Sequence, residues 1–337
     1  MIGIPLGTLS RRQRGVTLIE LLVALTLGLL VVLVAAAALL LGQQGYKSVD
    51  STTELRDRER FATDLLSRVI VQAGYQDFGA AQISVRSSFA DPEPDVYGWN
   101  NAMYAAPNDL LVSDSTKIVS ENRPAACTVS DTSCKNGSDV LVVRYQGVNS
   151  TVSAALPDNT MINCAGRGEA GLTNGNLDDR AISMFHVTRG DNGEPSLSCS
   201  YYNFATGVWV GPAPIIEGVE SFQVLYGTDG VTLAGEPLVA QDSVVDRWLR
   251  ADQLTVSGNA VATRENWRKV RAVRVGMVIR GAAGSAPQAA TPTLTPLGNL
   301  YTGSADVGAS LTVAADRHLR LQNTFTVHLR NELSLIK

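Results

Sequence analysis

Histidine is scarce in this 337-residue sequence: His186, His318 and His328 are all there are. An imidazole-based catalytic centre has little to draw on, and neither H-E-x-x-H nor G-x-S-x-G occurs, so zinc-protease and serine-hydrolase chemistry lack their signatures. Basic charge is also short. With 28 Lys and Arg against 32 Asp and Glu, the net charge is −4. Nucleic acid is then not an expected partner, because holding a phosphate backbone takes clustered cations. Proline is absent from Val16 to Ala73, so nothing there forces a helix to break.

What the chain has instead is one long apolar run. Between Val16 and Leu41 only Thr17, Glu20, Thr26 and Gly28 depart from Ala, Val, Leu and Ile. A helix of that length, roughly 39 Å, exceeds the ~30 Å hydrocarbon core of a bilayer. Arg11, Arg12 and Arg14 precede it, and the first charge beyond is Lys47, soon offset by Asp50. This asymmetry predicts residues 1–15 in the cytoplasm and everything after about residue 43 exported. The run is too long for the apolar core of an ordinary cleaved secretory signal.

Glu20 is the anomaly within it. A carboxylate near a membrane interior costs about 2.5–3.5 kcal/mol on insertion scales, so it calls for a partner. It lies roughly 6 Å along a helix from the nitrogen of Val16 and so could serve its own terminus.

Beyond the span, Leu55, Ala62, Leu65, Leu66, Val69, Ile70 and Ala73 recur at helical spacing, and Gly74 is a plausible stop. Joined to the span they predict one helix over about 16–73, unless Gly42 and Gly45 divide it into two. After residue 80 the pattern changes to short β-rich runs: 139–145, 181–187, 198–204, 221–227, 270–280 and 324–330. In the fifth, Val273, Val275, Met277 and Ile279 alternate with Arg274, Gly276, Val278 and Arg280, which gives one apolar face. Asn136-Gly137, Asn174-Gly175, Asn192-Gly193 and Asp229-Gly230 mark turns. The pattern favours an antiparallel sheet, with 281–298 as a surface loop.

Cys127, Cys134, Cys164 and Cys199 all lie in the part predicted to be exported, which favours two disulfides of three possible connectivities. The pairing expected is Cys127–Cys134, a short local loop, with Cys164–Cys199. A tetrathiolate zinc site lacks its close cysteine pairs. Gly166 to Gly171 matches G-x-G-x-x-G but opens no apolar-periodic helix and is read as a loop. Arg189-Gly190-Asp191 is a chance tripeptide in a turn. Asp191 and Glu194 do not complete a calcium loop, so no metal or cofactor is expected.

The stretch RGVTLIELLVAL, Arg14 to Leu25, resembles the N-terminal signal of type IV prepilins and pseudopilins. The resemblance implies that a prepilin peptidase cuts between Gly15 and Val16, that Val16 becomes N-methylated, and that Glu20 pairs with the amine of a neighbouring pilin. Val16 stands where the family most often has Phe. The segments 53–79, 218–230, 270–281 and 325–331 resemble PilW, a minor pilin of type IV pilus assembly.

That resemblance implies an α+β pilin fold, with the second half of a long N-terminal helix packed on an antiparallel sheet. Its organisation would be a leader (1–15), a transmembrane or filament-core half-helix (16–41), an exported amphipathic half (42–74) and an exported β-rich domain (75–337). It implies no enzyme, but a part in a priming or tip complex with the major pilin, other minor pilins and a tip adhesin, anchored in the inner membrane before reaching the pilus. A type II secretion pseudopilin shares the signal. A signal-anchored periplasmic hydrolase is the alternative of another class, and it requires a catalytic constellation that the sequence does not display.

Overall fold

A computed structural model of the protein describes residues 15–76, 93–102, 136–153, 156–171, 180–190, 192–203, 208–286, 288–301, 306–313 and 315–331. The chain divides into two units, residues 1–50 and 51–337. Helix α1 (Leu18–Val71) begins in the first and ends in the second without a break. Gly42 and Gly45 are helical. Each costs about 1 kcal/mol against alanine, but stopping and restarting would add a second costly nucleus.

In the first unit the side chains of the apolar run, from Leu18 through Leu41, are exposed to whatever surrounds the helix. In the second, Leu55, Ala62, Leu65, Leu66, Val69, Ile70 and Ala73 are all buried in the main core. The helical spacing therefore marked the packed face residue for residue.

Among the described residues most strands divide between two larger antiparallel sheets. The first is a meander in chain order: β1 (Val96–Trp99), β2 (Val140–Tyr145), β3 (Ala181–Arg189), β4 (Pro195–Asn203) and β5 (Val208–Glu217). The second contains β6 (Val219–Thr228), β7 (Arg247–Leu249), β8 (Val270–Arg280) and β11 (Arg320–His328), in the order β11-β8-β6-β7. Between β7 and β8 lie α2 (Ala251–Leu254) and α3 (Ala260–Trp267). Trp267 of α3 meets the rings of Tyr97 and Tyr226 edge-on, with centroids 5.7 and 4.6 Å away.

Gly218 is the single residue between β5 and β6, where the chain passes from one sheet to the other. Its φ of +84° is left-handed, and a Cβ there would lie 2.3 Å from the carbonyl oxygen of Arg280. Only glycine meets both conditions without strain. Asp139 joins the sheets a second time, accepting from the backbone N–H of Asn101 and of Val224, each at 2.8 Å. Burial, and secondarily the charge of Asp306, pushes its carboxyl well above the usual range.

Val273, Val275, Met277 and Ile279 of β8 enter the core, as their alternation predicts. The opposite face is also covered. Residues 281–298 do not simply run over the surface: β9 (Thr293–Leu294) pairs with β10 (Leu311–Thr312), and Leu294, Leu311 and Val313 pack on Val278. Gly276 admits this segment, since a Cβ there would lie 2.3 Å from the carbonyl oxygen of Pro296.

Candidate functional site

The Gly15–Val16 bond, where the resemblance implies cleavage, lies just ahead of the helix. Gly15, Val16 and Thr17 are non-helical and exposed, and among the described residues no atom beyond the chain neighbours lies within 4 Å of where a Cβ on Gly15 would stand. The helix begins at Leu18 because Thr17 caps it. The N–H of Glu20 donates to Thr17 Oγ1 at 3.3 Å, and the N–H of Thr17 donates back to Glu20 Oε2 at 3.0 Å. This reciprocal pair is a capping box, which satisfies two backbone donors that a helix start otherwise leaves open.

Glu20 thus has a local task in the unprocessed chain. The Thr17 hydroxyl also donates to Oε2, at 3.0 Å, so both bonds from Thr17 fall on one oxygen of the carboxylate. A carboxylate has about four lone-pair sites over its two oxygens, so this leaves Oε1 able to accept from a second donor. Arg11, Arg12 and Arg14 lie outside the described residues.

The C-terminal end of α1 is anchored by residues that periodicity does not mark. Gln72, 5% exposed, makes a two-way pair with the backbone of Ile162: its Nε2 donates to the carbonyl at 2.9 Å and its Oε1 accepts from the N–H at 2.8 Å. Two residues on, Cys164 is joined by a disulfide to Cys199 of β4, with both fully buried. The helix end, the 162–168 loop and β4 are therefore tied in series. Cys127 and Cys134 lie outside the described residues.

The remaining candidates disperse. His186 is buried in β3 with Nε2 3.0 Å from Ser200 Oγ, and burial pulls its pKa down to about 3. His318 Nδ1 lies 2.7 Å from the Gly281 carbonyl, and His328 is exposed at the end of β11. They share no site. Gly166 sits in a turn at φ +74°, followed by an isolated bridge between Ile162 and Gly168. Asp191 lies outside the described residues, while Glu194 accepts from Arg280 Nε at 3.0 Å. Arg280 also holds the buried Glu220, which Arg320 reaches from β11 at 2.6 Å. Among the described residues no group of three or more His, Cys, Asp or Glu is placed to hold a metal.

Residues 10–36 match the prokaryotic N-terminal methylation motif, and residues 184–331 match the family described as type IV pilus-assembly protein W. The chain is a PilW-like minor pilin. The first match covers the capped helix start, and the second runs from within β3 to Asn331, taking in the whole second sheet. As a PilW-like pilin it acts in type IV pilus assembly, among proteins that build structure, and it works with the pilus machinery and other pilins. Its exposed apolar helix and prepilin motif are those of a membrane-anchored pilin.

No curated protein matches. Among solved structures, a type IV-like pilin from Thermus thermophilus is similar at 12% identity and a TM-score of 0.36, covering 82% of this chain and 96% of that one.

Proposed function

We propose that this PilW-like pilin enters a priming or tip complex from which the major pilin polymerises. Residues 1–15 stay in the cytoplasm, 16–41 span the inner membrane, and both 42–74 and the domain 75–337 are exported. A prepilin peptidase cuts Gly15–Val16 and Val16 is N-methylated. The observation that carries the reading is the exposed, non-helical Gly15–Val16 bond immediately before a capped apolar helix, inside the methylation motif.

The freed amine of Val16 is a cation at a helix start that otherwise favours negative charge. Glu20 of a neighbouring pilin offers the compensating carboxylate, through the oxygen that Thr17 does not use. In the bilayer the apolar side chains meet lipid and in a filament they meet equivalent helices, so transfer need not expose them to water. Packing and polar pairing are then left to direct association. The partners are the peptidase, the major pilin, other minor pilins and a tip adhesin, and the role involves no catalysis and no cofactor.

Mass spectrometry of the mature N-terminus is the test. A methylated Val16 is expected, and a mature chain that still begins in the leader overturns the reading.

A further inference from the structure

We propose that the outer edge of β11 receives an added strand from another pilin subunit, an extended neutral segment flanked by carboxylate. The proposal rests on the place of this chain among other pilins given above.

An edge strand offers a row of unpaired backbone groups, and proteins protect such rows by keeping them short, bulged or proline-bearing. Of the four edges of the two larger sheets, three are protected in those ways. β1 has four residues, β7 has three, and β5 carries Pro212 and Pro214 with two register shifts against β4. β11 differs. It pairs with β8 at nine consecutive positions without a shift, contains no proline, and carries no side-chain charge between Arg320 and His328. Among the described residues its backbone makes no hydrogen bond to any third segment. An edge of that length and regularity is an aggregation hazard in a free chain and a template in an assembly.

The side chains define what fits. Gln322, Thr324 and Thr326 are exposed on one face, while Leu321, Asn323 and Phe325 are half-buried on the other. A segment alternating hydroxyl and aliphatic residues continues both faces by cross-strand pairing. The surroundings are basic. Among the described residues Arg330, which is exposed, has no ion-pair partner, and Arg274 beside Thr326 stacks on Trp248 with no carboxylate. On α1, Thr63 accepts from Asn323 of β11 at 2.7 Å. Arg56 and Arg60 precede Thr63 by seven and three residues and so share its flank of the helix, both exposed and without ion pairs. Glu59, four residues before Thr63, lies on the same flank, so Arg56 and Arg60 leave one net positive charge there. Acidic groups bordering the incoming strand would complement these cations.

The test uses full-length protein in cells whose piliation already depends on it, so that the assembly role is established independently. A photo-crosslinking residue replaces His328 on β11 or, as the comparison, Val208 on β5. The expected result is an adduct from position 328, and not from 208, in which mass spectrometry identifies a different prepilin-signal protein joined through an extended segment. In the purified adduct, amides 320–328 exchange with deuterium more slowly than in the free protein. Arg60→Glu with Arg330→Glu lowers the yield by about fivefold, the size expected for two exposed charge reversals, while the Arg→Lys pair retains it. No adduct from 328 with piliation intact, equal adducts from both positions, an adduct with a second copy of this chain, or unprotected β11 amides would each overturn strand addition and leave the assembly role standing.

Discussion

The side-chain amide of Asn331 donates to the carbonyl oxygen of Val71 at 3.0 Å, although the two residues are 260 apart in sequence. Val71 ends α1, where helix carbonyls have no partner within the helix, and Asn331 also reaches the Ala73 carbonyl at 3.3 Å. The last described residues of the chain cap its first element. Asn331→Ala should lower stability by about 1 kcal/mol, the usual worth of such a bond. Asn331→Asp should cost more, since it sets a carboxylate against carbonyl oxygens. Denaturant midpoints of the detergent-solubilised protein check both, and unchanged midpoints would remove the cap from the account.

Replacing Cys164 and Cys199 together by alanine should cost about 4 kcal/mol, because chain-entropy estimates run from about 3 for a 15-residue loop to 4.7 for a 100-residue loop. The tie here closes a separation of 35 residues. Both sulfurs are buried, so a mild reductant should leave the folded protein intact and act only as it unfolds. Unfolding titrations with and without reductant, on the native and doubly substituted chains, measure this.

Acid should weaken the fold through His186. Burial holds its pKa near 3 in the folded protein, while an unfolded histidine titrates near 6.5. The unfolded chain therefore takes up a proton first as the pH falls. Stability contributed by this residue is complete above about pH 6.5 and is lost toward pH 3 at about 1.4 kcal/mol per pH unit. In His186→Gln the decline between pH 6.5 and 5 should be shallower. An unaltered slope would assign acid sensitivity to the carboxylates instead.

At the N-terminus, Thr17→Ala and Glu20→Gln should separate two roles. The first removes the hydroxyl half of the capping box at a cost of about 1 kcal/mol, and the second keeps an acceptor for the Thr17 N–H but removes the charge. Both proteins should be cut at the usual place. Incorporation into sheared pili, followed by immunoblot, should fall markedly for Glu20→Gln and only slightly for Thr17→Ala. Equal incorporation of the two would mean that the charge itself does nothing in assembly.

Gly15→Phe should leave full-length precursor in the membrane, because a bulky side chain would stand at the bond the peptidase must reach. An immunoblot showing normal mature size in this variant would contradict cleavage at Gly15–Val16.

The packed helix face was legible because one rule, spacing near 3.6 residues, decides which side chains turn inward. Six strands were legible from β-branched runs, including β8 with its inward row of Val273, Val275, Met277 and Ile279. β5 was not: two prolines in GPAPII argue against a strand, and the run is tolerated because it lies on an edge. β7 and α2 are too short to carry periodicity. Gln72 and Asn331 act on partners 90 and 260 residues away, which no local pattern encodes. The capping box was within reach, since Thr17-Leu18-Ile19-Glu20 is its short signature, but it is hidden by the larger apolar run that it opens.

The placement of Asn331 also sets a timetable. The ribosome makes α1 well before the residue that caps its C-terminal end, with β11 only just ahead of that cap. At about 5–20 residues per second the 260 residues between the helix end and its cap take roughly 13–52 s. Throughout it the second sheet lacks its edge and the helix end stands open, so a nascent chain has its long apolar helix well before it has a closed fold. A product that stops before Asn331 would carry the apolar helix yet leave that seam open.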